Sequence, residues 1–308
     1  RLASAGSSLT TSSALTYEQK MEIAIREEAV KEALAESTPV PNSFEQAVTW
    51  AVAATLEATE AGSLRQSMFF DAGEEVDGVS GAIGKTLPFA ELYTKSLAGS
   101  GALQGGTVKA LFTDFGASAM ARKRWEPLPE GMEIAYLPPV KKGSNVLSLE
   151  EKYIFNQLLD AAYLVAVVPT QKEVSAVMQL FNVMADLGKD VPMVFINSRL
   201  MVNLGLAAGT QLKSWKEVER TIVPTFHLEQ IEIEDDEDPD LSSGVITRVW
   251  PRPYSLWEDN PEDADSINGF FLLDLQDGEA QSLEKVYSLL KESKKVREKL
   301  AEKARLTS

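Results

Sequence analysis

The chain of 308 residues contains no cysteine and a single histidine, His227. The first absence removes disulfides, thiolate zinc sites, cysteine-ligated iron–sulfur clusters and cysteine nucleophiles, and the second removes multi-histidine metal sites. Positive charge is scarce as well: 30 Lys and Arg stand against 46 Asp and Glu, a formal net charge of −16. Such a surface repels a phosphate-dense duplex at long range, which argues against general nucleic-acid binding. Long apolar runs are also missing. The longest, Ala161 to Pro169, is roughly half of the ~20 residues a bilayer-crossing helix needs and reads as a buried strand.

What is present is ordinary globular composition, 44% hydrophobic and 25% charged, which rules out a disordered or collagen-like chain as a whole. The length allows one large domain or two small ones and can bury a substantial core. The first sixteen residues are rich in Ser and Thr, with one Arg and no acid. That is the composition of a plastid or mitochondrial transit peptide, and equally of a plain N-terminal arm.

Helix starts are legible because a Ser or Thr followed three residues later by Glu or Gln can satisfy two orphan amides reciprocally. Thr16–Gln19, Ser43–Gln46, Ser148–Glu151, Thr170–Glu173 and Ser214–Glu217 each open a stretch with helical apolar spacing, and Gly62 and Gly188 stand where two of these helices should stop. Strands are expected near Gln66–Asp71, Val108–Thr113, Glu133–Leu137, Tyr163–Val168 and Met193–Asn197, in alternation with helices. That order implies a largely parallel sheet covered on both faces. Three further runs, Thr225–Ile233, Gly244–Trp250 and Asn268–Leu275, follow without intervening helices and should pair antiparallel. The expected fold is three-layer α/β, a mixed and mainly parallel sheet with an antiparallel C-terminal edge and flanking terminal helices. Residues 1–40 form an N-terminal arm and helix, 41–290 a single α/β domain, and 291–308 the end of a basic C-terminal helix.

Acidity is localised: residues 228–265 carry thirteen acids against Arg248 and Arg252, whereas Lys291–Arg305 carries seven bases and three acids. Either stretch is a solvated surface or a docking surface. Among motifs, Gly78 to Gly84-Lys85-Thr86 sits between a strand and a helix, the context of a phosphate-cradling loop. A phosphate loop needs glycine five positions before Gly84, and Val79 stands there, so Gly84, Lys85 and Thr86 make a weak candidate. Asp114-Phe-Gly116 spells a kinase metal motif, but the histidine of a kinase catalytic loop is missing, the lone histidine lying in Thr225-Phe-His-Leu. No Gly-x-Ser-x-Gly elbow gives His227 a serine partner. Arg122-Lys-Arg at the end of a helix suits its dipole without a ligand. No catalytic residue, metal or cofactor is therefore expected.

The segment Val108-Lys-Ala-Leu-Phe-Thr-Asp114-Phe-Gly116-Ala117-Ser-Ala119-Met-Ala121-Arg122 with Trp125, the Ala-rich helix after Pro41, Asn197 with Leu200, Gly205 to Gly209, and Val245 to Pro251 together resemble a plastid and cyanobacterial family of unknown function. Its members include the chloroplast assembly factor low photosystem II accumulation three and an appendage on a chloroplast adenylate kinase. The resemblance covers about Pro41 to Leu290 and implies a plastid protein on the stromal side of the thylakoid, peripheral to the membrane. Its implied role is auxiliary, assisting photosystem II or another thylakoid complex by protein–protein docking; it brings no catalytic residues. Ser198 follows Asn197 where the family usually has proline, and Gly73–Gly84 looks longer than the family's loop. The candidate anchors are Tyr254 and Trp257, with Trp250, Arg248 and Arg252 beside them, since aromatics and arginine dominate interface hot spots; packing in the core is the other reading of the rings. The alternative function is a nucleotide- or phosphate-ligand-binding α/β enzyme of the plastid. In that reading the ligand lies at strand carboxyl ends, near Asp114, Pro169–Thr170 and Asn197–Ser198.

Overall fold

Runs such as Tyr163-Leu-Val-Ala-Val167 and Met193-Val-Phe-Ile196 are apolar at every position, so a strand made of them must be covered on both faces. The computed structural model, which describes residues 17–71, 78–101, 103, 105–140, 148–200, 215–233, 243–259 and 269–307, shows how. The strands are β1 (Arg65–Asp71), β2 (Val108–Phe112), β3 (Met132–Tyr136), β4 (Tyr163–Val167), β5 (Met193–Ile196), β6 (Val223–Ile231), β7 (Gly244–Val249), β8 (Tyr254–Asp259) and β9 (Phe270–Gln276). They form one sheet in the order β3-β2-β4-β5-β1-β6-β7-β8-β9. Pairs from β3 to β6 are parallel and those from β6 to β9 antiparallel. The expected mixed α/β fold is what forms.

The strand period of two sorts the core. On one face Val165, Val167, Val194 and Ile196 meet helices α2 (Phe44–Glu60), α3 (Gly78–Ala98) and α4 (Phe115–Arg124). On the other, Leu164, Ala166, Met193 and Phe195 meet α5 (Leu149–Leu158) and α6 (Val174–Leu187). Three of the predicted helix starts are made as read. Ser43 Oγ accepts from the Gln46 amide, and Ser148 with Glu151 and Thr170 with Glu173 close complete capping boxes. Thr16 and Ser214 lie outside the described residues. Gly188, at φ 60°, ends α6 in the left-handed conformation that glycine adopts at little cost.

Two elements depart from the sequence reading. Gly78–Gly84 is helical, so α3 begins ten residues before Pro88, which lies inside it. The segment around Tyr254 and Trp257, where no strand was expected, is strand β8. The helix Leu283–Thr307 closes the chain and packs Val286 and Leu290 against Ile246, Tyr254 and Leu256. Its Arg297 Nη2 lies 2.6 Å from Glu258 Oε1, and Ser293 Oγ donates to Glu258 Oε2 at 2.6 Å. Part of the basic helix's charge is thus used internally. N-terminal to the sheet, helix α1 (Tyr17–Glu36) precedes the buried pair Ser37–Thr38.

Two measurements follow from this core. The amides of Val165, Val167, Val194 and Ile196 should be among the slowest to exchange, opening only with global unfolding, and fast native-state exchange there contradicts the central sheet. The Tyr93 hydroxyl, buried between α2 and α3, shares a 2.7 Å hydrogen bond with Thr55 Oγ1. Burial raises its pKa well above the ordinary 10.0. Its contribution is therefore complete below that value and is lost as pH rises further, because the unfolded chain ionises first; the slope is about 1.4 kcal/mol per pH unit. Burial raises Tyr163 and Tyr254 as well, so Tyr93→Phe should remove one tyrosine's share of the alkaline loss. Denaturant titrations between about pH 9 and about pH 11 check this; an unchanged slope contradicts it.

Candidate functional site

Burial alternates along β1, with Met68 and Phe70 on the α2–α3 face and Ser67 and Phe69 on the other; on β6, past an irregularity in its register with β1, Phe226 and Leu228 share the α2–α3 face and His227 and Glu229 the other. No continuous apolar run demands cover on that second face. There α5, α6 and the helical turn 215–219 lie to one side and the C-terminal helix to the other. Between them a cleft of about 640 Å³ opens over β1 and β6.

Register assembles its floor. Phe69 pairs with His227, and His227 with Arg248. Thr247 pairs with Ser255, which brings Arg248 alongside Tyr254 in the next antiparallel pair. Residues opposite one another share a face, so Phe69, His227, Arg248 and Tyr254 make one lateral row from residues scattered over the sequence. The contacts agree. The His227 ring stacks on Phe69 at 4.8 Å between centroids and meets Tyr254 edge-on at 5.4 Å. Arg248 Cζ lies 4.6 Å from the centre of the Tyr254 ring. Burial pushes the Tyr254 phenol up, while the neighbouring guanidinium pulls it down. His227 Nε2 lies 2.9 Å from Glu229 Oε2.

Arg248 is only 9% exposed, and its Nε and Nη1 have no hydrogen-bond partner among the described residues. Trp215, in the cleft wall, is 1% exposed and its Nε1 is likewise unpartnered. Lys216, Glu219 and Arg220 stand on the same wall, and Gly278 to Ala280 on the opposite one. Ser67 and Ser198 line the cleft and His227 Nε2 bonds Glu229, but among the described residues no hydrogen bond joins His227 to either serine. Nor do the described residues contain a group of three or more His, Asp or Glu placed to hold a metal ion. Arg248 is not among the residues that line the cleft, and the unpartnered nitrogens of Arg248 and Trp215 are enclosed rather than open to it; what the cleft presents is the aromatic surface of Phe69 and Tyr254 with Lys216, Glu219 and Arg220 on its wall.

The residues singled out from sequence fall elsewhere or serve the fold. Gly84, Lys85 and Thr86 lie inside α3, where backbone amides are committed to the helix ladder and cannot cradle phosphate. Thr86 is buried and its Oγ1 accepts from Asn197 Nδ2 at 2.8 Å. Asn197, at φ 48°, also exchanges two hydrogen bonds of 2.8 Å with the Phe70 backbone, extending the ladder past the end of β5. Asp114 caps α4 by accepting from the Ala117 amide at 2.7 Å. These carboxyl-end residues are spent on caps and turns. Arg252 is exposed and donates to the Ser37 carbonyl at 2.7 Å.

Tyr254 and Trp257, read from sequence as either docking anchors or core rings, are buried strand residues. Trp257 is 1% exposed, its Nε1 donating to the Thr38 carbonyl at 2.9 Å and to Thr247 Oγ1 at 3.0 Å. Of the proposed cluster, Tyr254 and Arg248 join the lateral row, and only Tyr254 lines the cleft. Missed from sequence were Phe69 and Trp215, and His227 was set aside for want of a serine partner. No local signal marked the row, since Met68, Phe69 and Phe70 are apolar at consecutive positions.

A three-layer α/β protein whose sheet turns from parallel to antiparallel at β6, with a cleft at the turn, is the class these features define. Residues 41–268 match the family described as Domain of unknown function (DUF1995), and the chain belongs to that family. No protein with a curated description matches the chain.

Replacing Trp257 with alanine should cost about 3–5 kcal/mol, the range for deleting a large buried aromatic. Chemical denaturation measures this, and a loss under about 1 kcal/mol would place the ring outside the core.

Proposed function

We propose that the protein is a non-catalytic auxiliary of a thylakoid photosynthetic complex, resembling a photosystem II assembly factor, that docks from the stromal side. Two features support this reading. The segment from Val108 to Arg122 with Trp125 carries the resemblance to the plastid family. No helix among the described residues is long and apolar enough to cross a membrane, which suits a peripheral protein.

The observation that carries the reading is an apolar groove of about 430 Å³ between Val30, Ala33 and Leu34 of α1 and Phe270 to Leu275 of β9. Strand β9 ends the sheet, and all seven of its residues are only half-buried. An apolar terminal strand is a template for a further strand, and monomers rarely leave such surface open without use. The occupant is an extended apolar segment of the partner complex, added at β9 by backbone pairing with side chains seated in the groove. The acidic stretch and the basic C-terminal helix steer its approach, so association weakens as salt rises.

Val30 is 59% exposed, so Val30→Glu should change stability by no more than about 0.5 kcal/mol. Co-purification from mildly solubilised thylakoids, with partners identified by mass spectrometry, should recover a photosynthetic complex with the wild-type protein and lose it with this variant. Undiminished recovery would remove the groove from the reading. Absence of any thylakoid complex from the wild-type sample during chlorophyll-protein synthesis would remove the function itself.

A second reading, a nucleotide- or phosphate-ligand-binding α/β enzyme of the plastid, draws on the cleft at β6. Its support is the pair of cations, Lys216 and Arg220, on the cleft wall.

A further inference from the structure

We propose that the end of the C-terminal helix, Lys291 to Leu306, lies along a membrane surface of anionic lipid, its lysines at head-group level and Val296 and Leu300 seated at the acyl boundary. The contact is with lipid rather than with a protein complex, and it stands whether or not the docking reading holds.

The helix is held to the sheet over only part of its length. Val286 and Leu290 are buried, and Ser293 and Arg297 bond the buried carboxylate of Glu258. Beyond Arg297 the cover ends, and every described side chain from Glu298 to Leu306 is exposed. At about 1.5 Å per residue that stretch reaches about 13 Å past Arg297.

Charge is sorted around the axis of this overhang. Val296 and Leu300, 51% and 62% exposed, stand one turn apart on one side, and Lys299 and Lys303 each follow one of them at three-residue spacing. Glu298 and Glu302 lie about 160° round the helix from Leu300. Glu292, a turn before Val296, is the one acid on the lysine side. Over Lys291 to Arg305 seven bases stand against three acids. A cluster of this density on an amphipathic helix suits an anionic lipid surface, because each charge is attracted while its methylene stem covers apolar area.

Other anionic or apolar partners match only half of this pattern. A nucleic-acid duplex offers phosphates but no apolar layer for Val296 and Leu300. A helix that docks in a protein groove presents apolar anchors at i, i+3 or i+4, and i+7. Counted from Val296, the last of these positions is Lys303. A lipid boundary accepts both features, since a lysine stem reaches back from the apolar layer to the head groups. The chain as a whole carries −16, which a like-charged membrane repels. At physiological salt that repulsion fades over about 8 Å, less than the reach of the overhang, so the acidic body is held off while the helix makes contact.

Flotation of the whole protein with lipid vesicles tests this, one set of phosphatidylcholine alone and one with about a third phosphatidylglycerol. The wild-type chain should float with the anionic vesicles, stay behind with the neutral ones, and be released as salt rises to about 0.5 M. Lys295→Gln combined with Lys299→Gln should weaken binding by about tenfold or more, through the loss of two surface charges. Leu300→Gln keeps every charge and should weaken it by about threefold or more, which separates seating in the lipid from attraction alone. All three side chains are exposed, so both variants should unfold thermally as the wild type does. Absence of flotation with anionic vesicles at up to about 1 mM lipid overturns the proposal, as does equal flotation with neutral vesicles. Binding by either folded variant within about twofold of wild type overturns it too. None of these outcomes bears on recovery of a thylakoid complex through β9, so the two readings fail separately.

Discussion

The carbonyl, amide and hydroxyl of Thr38 are all committed to the antiparallel half of the sheet, and much of the molecule's arrangement follows from that commitment. Its carbonyl accepts from Trp257 Nε1 and from Thr247 Oγ1, its amide donates to Ser255 Oγ at 2.8 Å, and its hydroxyl accepts from the Val249 amide at 3.1 Å. The bonds span more than two hundred residues of sequence. A buried threonine whose polar atoms are all paired incurs little desolvation cost, while each of its partners would be left orphaned without it. Ser37 and Thr38 therefore cover part of one face of β7 and β8, beside Val249, which packs against the core under α2 and α3. Because α1 ends immediately before them, its last turns are brought beside β9, and the apolar groove is a product of that placement.

The opposite face answers the same strands differently. Glu258 meets Arg297 and Ser293, and Val286 and Leu290 fill the space over Ile246 and Leu256. A helix set there by a charge pair and two aliphatic side chains covers the antiparallel strands and Ile231 at the end of β6, and leaves the cleft over β1 and the earlier part of β6. The crossover from β5 to β6 supplies Trp215 on the far side. The cleft is thus a gap between two layers of cover over a strand that serves both halves, paired parallel to β1 and antiparallel to β7.

How much of this could be read in advance depends on the range of the signal. The apolar runs of β2, β4 and β5 and the capping residues Ser148 and Thr170 are decided within a few positions, and they were legible. Strand β8 was not, because Pro251 and Pro253 precede it and acids follow. Local rules count both as interruptions, whereas Trp257 is held by Thr38 and Glu258 by Arg297. The start of α3 was hidden for a related reason: glycines at positions 78, 81 and 84 lower helix propensity, and tertiary contacts outweigh them. The row from Phe69 to Tyr254 lies further beyond local reading. It exists only once the registers of β1, β6, β7 and β8 are fixed, and no spacing along the chain encodes it. Its residues could be suspected singly, as His227 and Tyr254 were, but not as neighbours.

The two ends of the sheet show that an open edge is not a default of this fold. At β3 the Val108 amide bonds Gly131 O and the Leu137 amide bonds Phe112 O, so odd-numbered residues of β3 face β2 and the Ile134 carbonyl points outward. Arg122 Nη2 donates to that carbonyl at 2.9 Å, and the Glu133 side chain, paired with Lys109, is more than half exposed. An arginine on the outward carbonyl and an exposed acid are the devices by which terminal strands resist further pairing. Strand β9 instead carries Phe270, Phe271, Leu272, Leu273 and Leu275, half-buried, beside a helix that leaves Val30 exposed. The same chain blunts one end of its sheet and leaves the other apolar. Misassembly at the first is discouraged by charge, and the second keeps an apolar, half-buried surface beside α1.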